Sequence, residues 1–288
     1  MKDTFAEVRI LDNFYQTSSF FPMPVVLMST VAETGQTNLG PYSLCFPYIV
    51  TGEHAMLLIS REDSNTSLNI QRTGVCAINF IPDKRRYIRN CVMLGYPGET
   101  TAEKMENSIF TLLPSTRRAE EREPGIQYPE IVEEAIQVFE CTWNRRYPPK
   151  HDPESPECRF VLRVDKIVMK ERWRDRLFAG KGVPRLPIDY GFRDNAFFWF
   201  TKGARPYKEG IPQEKGVTVD AVQFAAQRIE PNIAWQEEAC AKLVRVPRVF
   251  LSRVIRECVE AAEEEGISEI TPEFLDRVRD KRDSERLK

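Results

Sequence analysis

The chain has 288 residues, 42% hydrophobic and 29% charged, with a formal net charge of −2. That length and balance fit a globular protein able to bury one domain core and a smaller appended unit. The near-neutral charge excludes a general attraction to nucleic acid or to an anionic membrane surface, so neither is expected as a partner. Along the chain, Pro22–Thr30 is a β-branched, apolar run that reads as a buried strand. Glu33-Thr34-Gly35-Gln36 is a turn signal. Thr37–Pro47 is a mixed stretch with small polar residues, and Ala55–Ser60 is a second strand. Ser64–Arg72 reads as a short helix with Asp63 or Ser64 as N-cap. Gly74 ends that helix, and Val75–Phe80 resumes as a strand.

The middle is less regular. Glu99–Ser108 has helical character, whereas Arg117–Gln127 is charged, contains Pro124-Gly125 and reads as a surface loop. Ile131–Trp143 and Cys158–Lys170 read as strands, the second with Phe160, Leu162, Val164 and Ile167 in near alternation. Tyr147–Pro156 is a Pro-rich loop, and Phe197–Phe200 is a short, strongly apolar strand. Arg205–Gly216 behaves as a connector. From Ala234 the pattern turns helical. Phe250, Leu251, Val254, Ile255, Cys258, Val259 and Ala262 repeat at three and four. Gly266 is a C-cap candidate, and Thr271-Pro272 opens a last helix.

The start, Met-Lys-Asp-Thr-Phe-Ala-Glu, is polar and acidic, unlike a secretory leader. The longest apolar run is far too short to span a bilayer. The seven cysteines (45, 76, 91, 141, 158, 240 and 258) form no CxxC pair, which fits reduced thiols in a cytoplasmic protein. Cys45, two residues after Ser43, is the one thiol singled out for its position. Clustered ligands for zinc or an iron–sulfur centre are absent, so no metal is expected. His54 and His151 are the only histidines, which argues against a His-based triad.

The stretch Pro22–Pro82 resembles the flavin-reductase-like family of FMN-binding split barrels. The likeness rests on PMPVVLMST, the turn ETGQ, then NLGPYS (Asn38–Ser43) and LLISREDSNTSLNIQRTGVCAINFIP (Leu57–Pro82), in that order. YPGETTAEK, PEIVEEAIQVFECTW and IDYGFRDNAFFWF agree more loosely, bringing the match to roughly 200 residues. Family members often carry a Pro-Pro before the strand that precedes the SxT segment; here Phe46–His54 departs from that pattern. The fold implied is mainly β with helices: an FMN-binding split β-barrel over residues 1–205, then a small C-terminal all-α domain. Ile233–Arg279 is in turn similar to the small helical module at the end of the light-independent protochlorophyllide reductase B-type subunit. The domain plan expected is thus a barrel to 205, a linker over 206–232, a helical module over 233–280 and a polar tail over 281–288.

The resemblance implies FMN as cofactor and NAD(P)H as reductant. Arg61, Ser64, Asn65 and Thr66 would hold the phosphate, because a helix start offers free amides, hydroxyls and a favourable dipole. Asn38, Leu39, Gly40, Pro41, Tyr42 and Ser43 would offer backbone groups to the isoalloxazine edge, with Gly40 allowing close approach. Taken singly, each residue has a plainer role: Ser64 as N-cap, Arg61 as a solvated charge, Asn38–Pro41 as a turn. No catalytic acid or base is identified, since the flavin carries the chemistry. The function implied is an FMN-dependent flavin reductase or a flavoredoxin-like electron carrier. It would be a homodimer with each flavin near the interface, and a redox protein is a further expected partner. The alternative is a non-catalytic flavin-binding scaffold or sensor whose C-terminal helices dock a partner.

Overall fold

A computed structural model of the chain describes residues 5–95, 98–194, 197–201, 206, 217–246 and 248–286. The chain divides into two units, Met1–Tyr207 and Lys208–Lys288. In the first, a short helix α1 (Phe14–Thr17) precedes strands β1 (Met23–Pro24), β2 (Val26–Val31), β3 (Thr37–Tyr42), β4 (Cys45–Ile49) and β5 (Ala55–Arg61). Helix α2 (Asn65–Thr73) leads into β6 (Val75–Phe80), α3 (Arg85–Leu94) and α4 (Thr101–Glu106). The remainder comprises β7 (Leu112–Leu113), β8 (Ile131–Val132), β9 (Gln137–Trp143), β10 (Glu157–Met169), α5 (Glu171–Phe178), β11 (Ile188–Asp194) and β12 (Phe197–Phe200).

Seven strands form one antiparallel sheet in the order β3-β2-β6-β9-β10-β5-β4. Its two edge strands, β3 and β4, are consecutive in the chain. The sheet therefore curls until those edges approach each other, leaving an open seam. Alternation fills the interior: Met56 and Leu58 from β5, Cys76 and Ile78 from β6, and Phe160 and Leu162 from β10 share one core with Val26 and Met28. The opposite face of the same strands is also covered. Leu27, Leu39 and Ala77 pack under Tyr87, Cys91 and Leu94 of α3. Burial on both faces explains why β2 is buried at every position.

β1, β11 and β12 make a separate three-stranded sheet. Ser43 ties it to the barrel, donating to Asp189 at 2.7 Å. The expected strand Phe197–Phe200 exists, but it is an edge strand whose Phe197 and Trp199 are exposed.

Three expectations for this unit need correction. Thr37–Pro47 is no mixed stretch: it supplies most of two strands, β3 and β4. The single strand read over Ile131–Trp143 is two. Glu134 turns aside to accept from the Thr111 amide and hydroxyl, at 3.1 Å each. β8 thereby pairs with β7, and β9 joins the barrel. Within the loop read over Arg117–Gln127, Arg117 is buried. Its guanidinium lies 2.8 Å from Asp165 and 4.8 Å from the centre of the Tyr128 ring.

The second unit contains α6 (Val219–Ile229), α7 (Glu237–Leu243), α8 (Arg248–Glu265) and α9 (Pro272–Arg286), with a short parallel pair, β13 (Ala234–Trp235) and β14 (Glu269–Ile270). The helical module thus starts earlier than expected. The presumed linker 206–232 contains α6, capped by Thr218, and Val222 and Ala226 enter one core with Cys240, Ile255 and Ala262. The presumed tail continues α9 as far as Arg286. Of the Pro- and Gly-rich connector 205–216, only Pro206 lies within the described residues. Thr271 opens α9 as read, accepting from the Phe274 amide at 3.3 Å.

The Arg117 side chain is 6% exposed and that of its neighbour Arg118 is 68% exposed. Removing one partner of a buried ion pair costs about 3–5 kcal/mol, whereas exposed pairs contribute about 0–1. Urea unfolding of Arg117→Ala should therefore show a large drop in midpoint and Arg118→Ala almost none. Equal effects would contradict the burial of Arg117.

Candidate functional site

α2 starts where it does because Ser64 caps it. The Ser64 hydroxyl accepts from the Ser67 amide at 3.0 Å. Gly74, at φ +75°, ends the helix in the left-handed conformation that favours glycine. The first intrahelical bond runs from the Leu68 amide to the Ser64 carbonyl. The Asn65 and Thr66 amides precede it and are free for an external acceptor. β5 ends at Arg61, so these amides open at the barrel mouth.

A cavity of about 310 Å³ lies against this helix end. Gly40, Pro41 and Tyr42 of β3 form one wall. Arg61, Ser64, Asn65 and Thr66 form a second, and Leu94, Gly95, Glu99 and Lys104 a third. Thr66 is 2% exposed, and its hydroxyl has no hydrogen-bond partner among the described residues. Gly40 is required here for close approach, because a Cβ at this position would lie 2.7 Å from Thr66 Oγ1.

The third wall is held by local chemistry. Thr100 and Glu103 form a capping box that starts α4. Asn65 Nδ2 donates to the Glu99 carbonyl at 3.1 Å. Thr101 donates to Asn38 Oδ1 at 3.3 Å. This anchoring places Lys104 over the cavity, half-buried and without an ion pair among the described residues. Burial lowers the Lys104 pKa; Glu99 opposes that shift and Arg61 adds to it. Arg61 is more loosely placed. Its side chain is 56% exposed and pairs with Asp63 at 3.4 Å.

Of the ten residues expected at a site, seven line this cavity: Gly40, Pro41, Tyr42, Arg61, Ser64, Asn65 and Thr66. Three do not. Asn38 is buried between Thr30 and Thr101, where it supports α4. Leu39 belongs to the core beneath α3. The Ser43 hydroxyl is turned to Asp189. Lys104 was missed because its role depends on where α4 packs. The signal for it was the Thr100-x-x-Glu103 capping box immediately before it. Cys45 faces the barrel core instead of the cavity, and burial pushes its thiol up to about 12.

This arrangement fits a phosphate monoester: two free amides at a helix start, an unpartnered hydroxyl, a half-buried ammonium and a glycine wall. Among the described residues no helix is long and apolar enough to cross a membrane, and no group of His, Cys, Asp and Glu is placed to hold a metal ion.

No protein-family model matches the chain. No curated protein matches it in sequence. Solved structures do match in shape. Nitrilotriacetate monooxygenase component B from Bacillus cereus superposes with a TM-score of 0.53 at 18% identity, over 72% of this chain and 100% of that one. Flavoredoxin from Methanosarcina acetivorans gives 0.52 at 14% identity, over 73% and 98%. At these identities the likeness establishes the fold: the chain is a split β-barrel of the kind found in these two proteins, followed by a helical unit.

Proposed function

We propose that this protein binds FMN and works as a flavin reductase oxidising NAD(P)H, or as a flavoredoxin-like electron carrier. The observation that carries the reading is the convergence of the α2 amides, Thr66 and Lys104 on one cavity beside Gly40. FMN, when bound, supplies the ability to accept and release a hydride or electrons. The chain's own residues bind and orient. The Asn65 and Thr66 amides and the Thr66 hydroxyl donate to the phosphate. Lys104 supplies the principal positive charge, and Arg61 adds to it from the rim. Gly40, Pro41 and Tyr42 shape the adjoining wall. The protein purified without added cofactor should be yellow, and anaerobic NADH or NADPH should bleach it. A flavin band that neither nucleotide bleaches would favour the electron carrier over the reductase, and a colourless protein that takes up no FMN would favour the scaffold reading.

The phosphate assignment makes a sharper demand. A charge-assisted hydrogen bond of roughly 1.5–3 kcal/mol corresponds to about a ten- to hundred-fold change in affinity. Lys104→Ala should lose that much FMN binding, and Arg61→Ala less, while riboflavin binding stays unchanged in both. The pKa of Lys104 is depressed, so its charge is lost as pH rises, beginning below the ordinary lysine range. The preference for FMN over riboflavin should fall there, and Lys104→Ala should abolish that pH dependence. Fluorescence quenching measures all three quantities. Equal loss of riboflavin and FMN would overturn the assignment.

The assembly proposed is a homodimer. The exposed aromatic residues Phe197, Phe198 and Trp199 on edge strand β12 support it, since an apolar edge of this kind is ordinarily covered. Sedimentation at micromolar concentration should give twice the chain mass, and a monomer would refute it. The helical unit is read as a docking or assembly module.

A further inference from the structure

Along β5 the inward-facing positions run Met56, Leu58, Ser60. A hydroxyl thus ends an apolar row at the barrel mouth, and Ser60 is only 4% exposed. A buried hydroxyl must find partners. Ser60 Oγ lies 2.7 Å from Tyr42 Oη and 2.8 Å from Ser64 Oγ, while Tyr42 and Ser64 are 3.2 Å apart. The Arg61 carbonyl is a poorer acceptor for Ser60, at 3.4 Å.

We propose that Ser60 is a positioning residue that directs the Ser64 proton into the phosphate cavity. The inference rests on the FMN phosphate reading and adds a residue outside the cavity wall. Each hydroxyl has one proton and two acceptor sites. Tyr42, the more acidic hydroxyl, donates to Ser60, and Ser60 donates to Ser64. Ser64 also accepts from the Ser67 amide. Both acceptor sites of Ser64 are then filled, so its own proton must be donated outward. Without an anion, the remaining acceptor is Tyr42 across the 3.2 Å side. That is longer than an ordinary O–H···O bond of about 2.5–3.0 Å. A phosphate oxygen in the cavity opens the ring at this weakest side and accepts a hydrogen bond from the Ser64 hydroxyl. The ring thus favours a ligand that only accepts hydrogen bonds.

The test compares FMN and riboflavin affinities in the full-length protein. Ser60→Ala should lower the FMN-over-riboflavin preference about three- to tenfold, as expected for one neutral hydrogen bond. Riboflavin binding should not move. Tyr42→Phe should act in the same direction, and Ser60→Thr, which keeps the hydroxyl, should retain the preference. Because Ser60 acts through Ser64, Ser60→Ala should have no further effect in a Ser64→Ala background. Undiminished loss in that background, or equal weakening of both ligands, overturns the relay. Wild-type protein that binds FMN no tighter than riboflavin overturns the phosphate reading itself, and the relay with it.

Discussion

The open seam of the barrel is the constraint on which the site depends. A seven-stranded antiparallel sheet curls because its strands twist, and here its edge strands are neighbours in the chain. At the mouth of the seam, backbone and hydroxyl groups from β3, β5 and α2 meet where Ser60 and Thr66 are buried and Tyr42, Ser64 and Asn65 are half-buried. The buried ones call for a partner in the protein, a ligand or water. Tyr42, Ser60 and Ser64 pair with one another across the seam. The Asn65 and Thr66 amides and the Thr66 hydroxyl are left over. What remains at the seam is donors, with Lys104 added from the side.

On the proposed reading, that surplus is what lets ordinary parts bind a phosphate. The helix start is fixed by its cap, Gly40 keeps the facing wall low, and α4 is fixed by its own capping box. The carboxylates of Asp63 and Glu99 lie at the same cavity. They keep Arg61 and Lys104 from forming an unbalanced cationic patch when no anion is bound. On that reading, a phosphate is held by the donors that have no partner among the described residues, together with Lys104. The scarcity of histidine is no obstacle, because positioning and charge are all such a site asks of the chain.

Local signals were readable from the sequence. The Ser64 cap, the Gly74 stop, the strands on either side of α2 and the late helical repeat all follow from neighbours a few residues apart. The failures share a cause: they depend on contacts between distant segments. Arg117 looks like a loop charge until the fold sets Asp165 and Tyr128 beside it. Ile131–Trp143 reads as one run until Thr111 claims Glu134. α6 was hidden because its apolar positions face a core made by later helices and its neighbours are rich in Pro and Gly. Within the site, Arg61 stood out as the charge next to the helix, yet it is exposed and paired. Lys104, 38 residues after Thr66 in the chain, is the better-placed cation, and only the packing of α4 reveals that. Tyr42 was read for its backbone; its hydroxyl is what reaches across the seam.

The central claim is that a phosphate dianion is held between the α2 amides and Lys104. The most direct measurement is the phosphorus NMR resonance of FMN mixed with the protein, followed from about pH 5 to 8. Free phosphate monoester takes up a proton in this range, with a pKa of about 6. Bound phosphate should hold the dianion position throughout, because amides and an ammonium favour the charged form. A resonance that titrates as it does in free FMN would contradict the account.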